Sequence, residues 1–241
     1  MKKIIFLTFI AIFLSFTPLF SQETSWDYPI RPGSREWATL PTTADRVKAI
    51  QVPEDVLPKL SDQQLLDLIL NYPFFNSYIL SDNPFDGYQR TMVTLNAYGE
   101  LKSRPESLNI IFDHYNRMDF SQINKLGESA EIGRFALRVS AIELMLTDFS
   151  LDKTLSLEES EKILEGVSRK YTEKSVNEEE LLGLGKLTTA FLAANVFNGQ
   201  PTLKNKIYKK NELENFVANI RVVSNDFVDN IINQINYPQN R

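Results

Sequence analysis

The sequence contains no cysteine and a single histidine, His114. Without thiols there can be no disulfide, thiolate nucleophile, thiolate metal site or redox switch, and no lipid can be attached through sulfur. One imidazole cannot supply the histidine pair of a zinc site, and at most one can act as a base. An excess of positive charge is also missing: 26 Lys and Arg stand against 31 Asp and Glu, a net charge of −5. That balance offers no electrostatic footprint for nucleic acid or an anionic membrane surface. Nor does any stretch show the alternation and turn spacing of a sheet, or the fixed period of a solenoid.

What is present begins with Lys2 and Lys3, followed by an apolar run from Ile4 to Thr17 that Pro18 breaks. A charged start, an apolar run and a stop form the pattern of a secretory signal peptide. Even extended to Phe20 the run is shorter than the ~20 apolar residues a spanning helix needs. Residues 1–21 therefore read as a leader cleaved after Ser21, leaving a new N-terminus at Gln22 or Glu23. Cleavage removes two lysines and no acid, which moves the net charge from −5 to −7. The mature chain is expected to be periplasmic or extracellular, with no stable membrane insertion after cleavage and no partnership with nucleic acid.

Residues 22–41 read as an extended arm, since Trp26, Tyr28, Pro29, Pro32, Gly33 and Trp37 show no helical period. From residue 42 to 241 the pattern is that of a single all-helical domain. Thr42 or Thr43 caps a helix to about Ile50, and Pro53 to Leu60 makes a short turn. Ser61 with Gln64 forms a capping box ahead of Leu65, Leu66, Ile69 and Leu70, and Pro73 ends that helix. Asn83-Pro84 starts another, with Tyr88, Met92 and Leu95 on one face. Ser103 with Pro105 and Glu106 starts the next, where Leu108, Ile111, Phe112 and Tyr115 follow the helical spacing. Ile132, Phe135, Ala136, Val139, Ile142, Leu146 and Phe149 form a stripe over several turns, and Ser156 with Glu159 caps the helix of Ile163, Leu164 and Val167. The segment from about Glu178 to Phe197 is apolar nearly all round and reads as the central helix, stopped by Gly199. A last helix is expected from about Asn211 to Asn236. The predicted architecture is all-α: an irregular bundle of about seven main helices with an extended N-terminal arm.

Several strings resemble chemistry. Ser150-Leu-Asp-Lys153 and Ser81-Asp82-Asn83 match two motifs of penicillin-recognising enzymes, but their order is reversed, the third motif is absent and the helical pattern leaves no room for that scaffold. Ser81 to Asn83 reads better as a helix cap. Gly183-Leu-Gly-Lys186 resembles the end of a phosphate loop, yet Leu187 stands where a magnesium-binding hydroxyl belongs, so close helix packing is the simpler reading. His114, beside Asp113 and before Asp119, reads as a surface or interface residue of its helix. Glu178, Glu179 and Glu180 suit the first turn of a helix, where the dipole favours acids. Lys204, Lys206, Lys209 and Lys210 read as a solvated loop. Trp26, Tyr28 and Trp37 can either pack the arm on the bundle or contact a sugar or partner protein, and they are the candidate ligand contacts.

A resemblance covers roughly Trp37 to Tyr115. It is carried by Trp37-Ala-Thr-Leu40, Arg46, Gln51-Val-Pro-Glu54, Leu57, Leu60-Ser61, Leu65-Leu66, Asn71-Tyr-Pro73, Gly87, Leu95-Asn96, Glu100-Leu101, Arg104 and Tyr115. In these the chain resembles a group of uncharacterised exported helical proteins of Bacteroidetes-type bacteria. The resemblance implies class and compartment, and no functional residue. With no nucleophile, metal or cofactor signature, the expectation is a non-catalytic interaction protein of the envelope or exterior, with an unknown protein or glycan as partner and no cofactor. The alternative is a hydrolase using two carboxylates, as glycosidases do, marked by two acids ~5 to 10 Å apart in a cleft.

Overall fold

The computed structural model describes residues 25–126, 128–177, 186–205, 207, 210–220 and 225–236. Among them are helices and connecting turns, and no strand. In chain order the α-helices are α1 (Arg35–Thr39), α2 (Thr43–Ala49), α3 (Asp62–Leu70), α4 (Pro84–Met92), α5 (Asn96–Ser103), α6 (Ser107–Arg117), α7 (Ser129–Leu151), α8 (Leu157–Val176), α9 (Lys186–Gly199), α10 (Pro201–Lys204), α11 (Lys210–Asn219) and α12 (Asn225–Asn236). Three short 3-10 helices, Leu57–Lys59, Phe75–Leu80 and Phe120–Lys125, join them.

The local signals act where the sequence puts them. Thr42 with Asp45, Ser61 with Gln64 and Ser156 with Glu159 each form a reciprocal capping box, so two otherwise orphaned N–H groups are satisfied at each helix start. Asn83 accepts from the amides of Phe85 and Asp86, with Pro84 in the first turn of α4.

The helices outnumber the seven expected, because several expected helices are divided. The arm is not wholly extended: Ser34 caps the short α1 through the Trp37 amide. The face that appeared to run from Tyr88 to Leu95 breaks after Met92, and α5 starts at Asn96. No local side chain caps it. Its first amide instead donates to Gln51 Oε1 at 2.9 Å, and the Asn96 amide group pairs with the Val52 N–H and C=O at 3.1 and 2.7 Å. A cap contributed from 45 residues away leaves no mark in the local sequence. Ser103 ends α5, bonding back to Glu100 O, and does not start α6. The last helix is also two, since Ile220 adopts a left-handed φ of 44° and closes α11. That conformation is strained for a β-branched residue and is held by burial of its side chain at 4% exposure.

One continuous core runs from Tyr28 to Ile232. α9 is central, touching α7, α8, α10, α11 and α12. Its described residues Thr188 to Phe197 are all buried, as expected for the apolar segment, and Gly199 is its last residue. α7 is central too, because every residue from Val139 to Ser150 is buried and not just one stripe. It contacts α4, α6 and the 3-10 helix Phe75–Leu80 on one side and α9 on the other.

Candidate functional site

Burying α7 on all sides buries two acids, Glu143 at 0% and Asp148 at 4% exposure. A carboxylate removed from water must be paired and hydrogen-bonded. Glu143 is served from three helices. Its Oε1 accepts from Tyr115 of α6 at 2.7 Å, Lys174 of α8 at 2.8 Å and Thr189 of α9 at 2.8 Å. Its Oε2 accepts from Lys174 at 2.8 Å and Thr188 at 2.6 Å. Burial pulls the Lys174 ammonium below its ordinary pKa, against the attraction of Glu143, and pushes the Tyr115 phenol well above its own. Lys174 is 2% exposed on its side chain and Glu143 not at all, so the pair is removed from solvent. It locks α6, α7, α8 and α9 in register.

Asp148, one and a half turns further along, has a different setting. It forms the inner wall of a cleft of about 350 Å³ between α4 and α5, whose other surfaces include Gln89, Val93, Tyr98, Gly99 and Lys102. Its oxygens accept from Gln89 Nε2 at 2.7 Å, Tyr98 OH at 2.5 Å and Lys102 Nζ at 2.6 Å. Lys102 also reaches the exposed Asp152, one turn along, at 2.8 Å. Burial works against the Lys102 charge, but its bonds to the two carboxylates outweigh that and raise its pKa. The Tyr98 phenol is raised well above its ordinary value, chiefly by burial. Near neutral pH the cleft therefore presents a protonated amine and a protonated phenol, both donating to a carboxylate.

Gly99 supplies a second observation. A glycine inside a helix costs about 0.5–1 kcal/mol relative to alanine. At Gly87 and Gly166 packing requires it: an added Cβ would lie 2.5 Å from Ser81 Oγ and 2.8 Å from the Phe112 ring. At Gly99 an added Cβ would meet nothing within 4 Å, since the position faces the open cleft. Gly133 and Gly199 are equally uncrowded, but neither borders this cleft.

The residues singled out from sequence lie elsewhere. Tyr28 is buried at 4%, with its hydroxyl donating to Leu68 O at 2.8 Å. Trp26 is edge-on to Tyr28 at 5.1 Å, and Trp37 lies tilted against Phe74 at 5.4 Å with the Arg46 guanidinium over the Trp37 ring at 5.6 Å from its centre. All three thus pack the arm on the bundle, with Trp26 and Trp37 left half-buried. Ser150 bonds to Thr147 O, Lys153 to Pro105 O, and Ser81 accepts from Arg90, so the two penicillin-enzyme strings share no site. Lys204 pairs with Glu214 at 2.7 Å and Lys210 with Asn205 at 3.1 Å, while Lys206 and Lys209 lie outside the described residues. So do residues 1–24, Glu178 to Glu180, and Gly183 and Gly185. His114 is half-buried, its pKa lowered first by burial and then by Arg117. No cluster of three potential metal ligands occurs among the described residues.

Sequence reasoning missed Glu143 and Asp148. The available signal was two acids inside Ala141-Ile-Glu-Leu-Met-Leu-Thr-Asp-Phe149, a run otherwise almost wholly apolar. Several residues of the segment from Trp37 to Tyr115 prove to be joints. Besides Gln51 and Asn96, Arg104 ties Leu60 O, Asp62 and Glu100, and Tyr72 bonds to Thr94 while its ring lies against Phe74. The chain matches no protein-family model, and no curated protein or solved structure is detectably similar to it. The class defined by fold and cavity is a protein whose described residues are all helices and turns, with a largely apolar cleft between α4 and α5 that has a hydrogen-bonded carboxylate of α7 on its inner wall.

Proposed function

We propose that the mature chain is an exported, non-catalytic binding protein of the cell envelope or exterior, and that a sugar-containing or peptide ligand enters the α4–α5 cleft. The observation that carries this reading is the commitment of the cleft's ionisable groups to one another. Lys102, Tyr98 and Asp148 form a closed set that offers hydrogen bonds but no free base, acid or nucleophile. The volume suits a small ligand or one residue of a larger one, and such pockets combine apolar walls with a few fixed polar groups. Gly99 keeps that volume open at a cost to its helix. The half-buried Trp26 and Trp37 belong to the same reading as secondary contacts, and the Lys2-Lys3 and apolar opening supports export.

The two-carboxylate hydrolase has one observation on its side, the approach of Asp148 and Asp152 around a single point. That point is occupied by the Lys102 ammonium. In a glycosidase the space between the two acids must admit the scissile bond or a water. The test is isothermal calorimetry of the mature protein with soluble N-acetylglucosamine oligomers and with short peptides, beside product analysis of the same mixtures. Saturable binding without turnover, lost in Gly99→Leu, is the expected result. Turnover abolished by both Asp148→Asn and Asp152→Asn replaces the binding reading with the hydrolase.

A further inference from the structure

A second cavity, away from the Asp148 cleft, opens between the 3-10 helix Phe75–Leu80 and the first half of α7. Its volume is about 490 Å³, and its walls include Tyr72, Phe75, Phe135, Arg134 and Arg138. Arg134 and Arg138 stand four residues apart on α7 and so share one helix face, where like charges repel and destabilise. Arg134 is 63% exposed and pairs only loosely with Glu131, at 3.8 Å. Arg138 gives one N–H to Leu70 O at 3.1 Å, and its remaining N–H groups have no partner among the described residues. Positive charge is thus concentrated on one groove of an acidic chain with a net charge of −5.

We infer that this groove binds a small monocarboxylate with an aromatic or branched aliphatic body, the carboxylate accepting from Arg134 and Arg138 and the body lying against Phe75 and Phe135. Guanidinium groups present paired donors that match a planar carboxylate, and the pair, though exposed, borders the apolar walls of the groove. Glu131 also borders the groove, so two arginines and one acid leave a single net positive charge. A monoanion matches that charge, and a phosphate dianion exceeds it. His114 feels the same guanidinium: its pKa is lowered first by burial and then by Arg117, raised by Asp67, and lowered again, least of all, by Arg138. His114 is the only histidine, which makes it a single-residue reporter. The inference does not rest on the Asp148 cleft.

The test uses the mature chain and 3-phenylpropionate as probe, followed by calorimetry and by the imidazole proton signals of His114. Saturable binding is expected, with the uncharged 3-phenylpropanamide and inorganic phosphate each weaker by about tenfold or more, as loss of a charge-assisted pair or of apolar contact implies. The His114 pKa should rise on saturation, because the ligand neutralises part of the field. Arg134→Gln should weaken binding by about tenfold without altering the melt, since that side chain holds no backbone group. Arg138→Gln should weaken it as well, and a lowered melt there reports only the lost bond to Leu70 O. Equal binding of the amide, equal binding of phosphate, unchanged affinity in Arg134→Gln, or no saturation at millimolar probe overturns the inference.

Discussion

Lys174 is the only cation within ion-pairing distance of Glu143 among the described residues, and both are removed from water. Lys174→Met should therefore destabilise the protein by about 3–5 kcal/mol, because a buried carboxylate is left uncompensated. Adding Glu143→Leu should recover part of that loss, since it removes the unpaired charge but takes the acceptor away from the Tyr115, Thr188 and Thr189 hydroxyls. Urea unfolding of the single and double variants measures the difference. A double variant no more stable than Lys174→Met would show that the network does more than balance its own charges. Tyr88 illustrates the converse. Its hydroxyl is fully buried and makes no well-formed hydrogen bond, so Tyr88→Phe should leave stability unchanged or raise it. At this scale the sequence was readable for caps, which depend on neighbours three residues away. It was not readable for Glu143 or Asp148, whose partners lie between 28 and 59 residues away.

Two glycines inside helices predict opposite outcomes for the same substitution. Gly99→Ala should raise stability by about 0.5–1 kcal/mol, since α5 gains helix propensity and the new methyl enters open space. In α8, Gly166→Ala should lower it, because the methyl would sit 2.8 Å from the Phe112 ring where α6 and α8 meet. Paired thermal melts decide the matter, and a stabilised Gly166→Ala would mean that Phe112 yields without cost. Sequence periodicity recovered α3, α6, α7 and α8 because each has an apolar face, and the starts of α3 and α8 are also written locally as capping boxes. It joined α4 to α5 and α11 to α12 because their breaks are set from outside. Gln51 supplies the start of α5, and a buried Ile220 in an unfavourable backbone conformation ends α11.

The whole molecule carries its described tyrosines inward. Tyr72, Tyr78, Tyr88, Tyr98 and Tyr115 all have pKa values raised chiefly by burial, as does Tyr28. A phenol whose folded pKa lies above the unfolded value of 10.0 contributes stability below that pH and loses it as pH rises. Alkaline titration should thus show tyrosinate absorbance appearing in one cooperative step together with loss of helical circular dichroism above pH ~10. A gradual rise in absorbance with helicity intact would mean that these rings ionise in place. The all-helical class and the central place of α9 were legible, because both follow from apolar periodicity summed over long segments. The cleft was not, since it is assembled from α4, α5 and α7, and its opening depends on one glycine having nothing in front of it.

α7 bears on how such a chain can change over generations. It meets α4 and α6 with one set of side chains and α9 with another, so neither the portion before it nor the portion after it encloses a finished interior. The Asp152–Ser156 turn offers an accessible point for a break, but a piece ending there keeps Glu143 without Lys174, Thr188 and Thr189. The chain consequently has no seam at that point for exchanging halves by recombination.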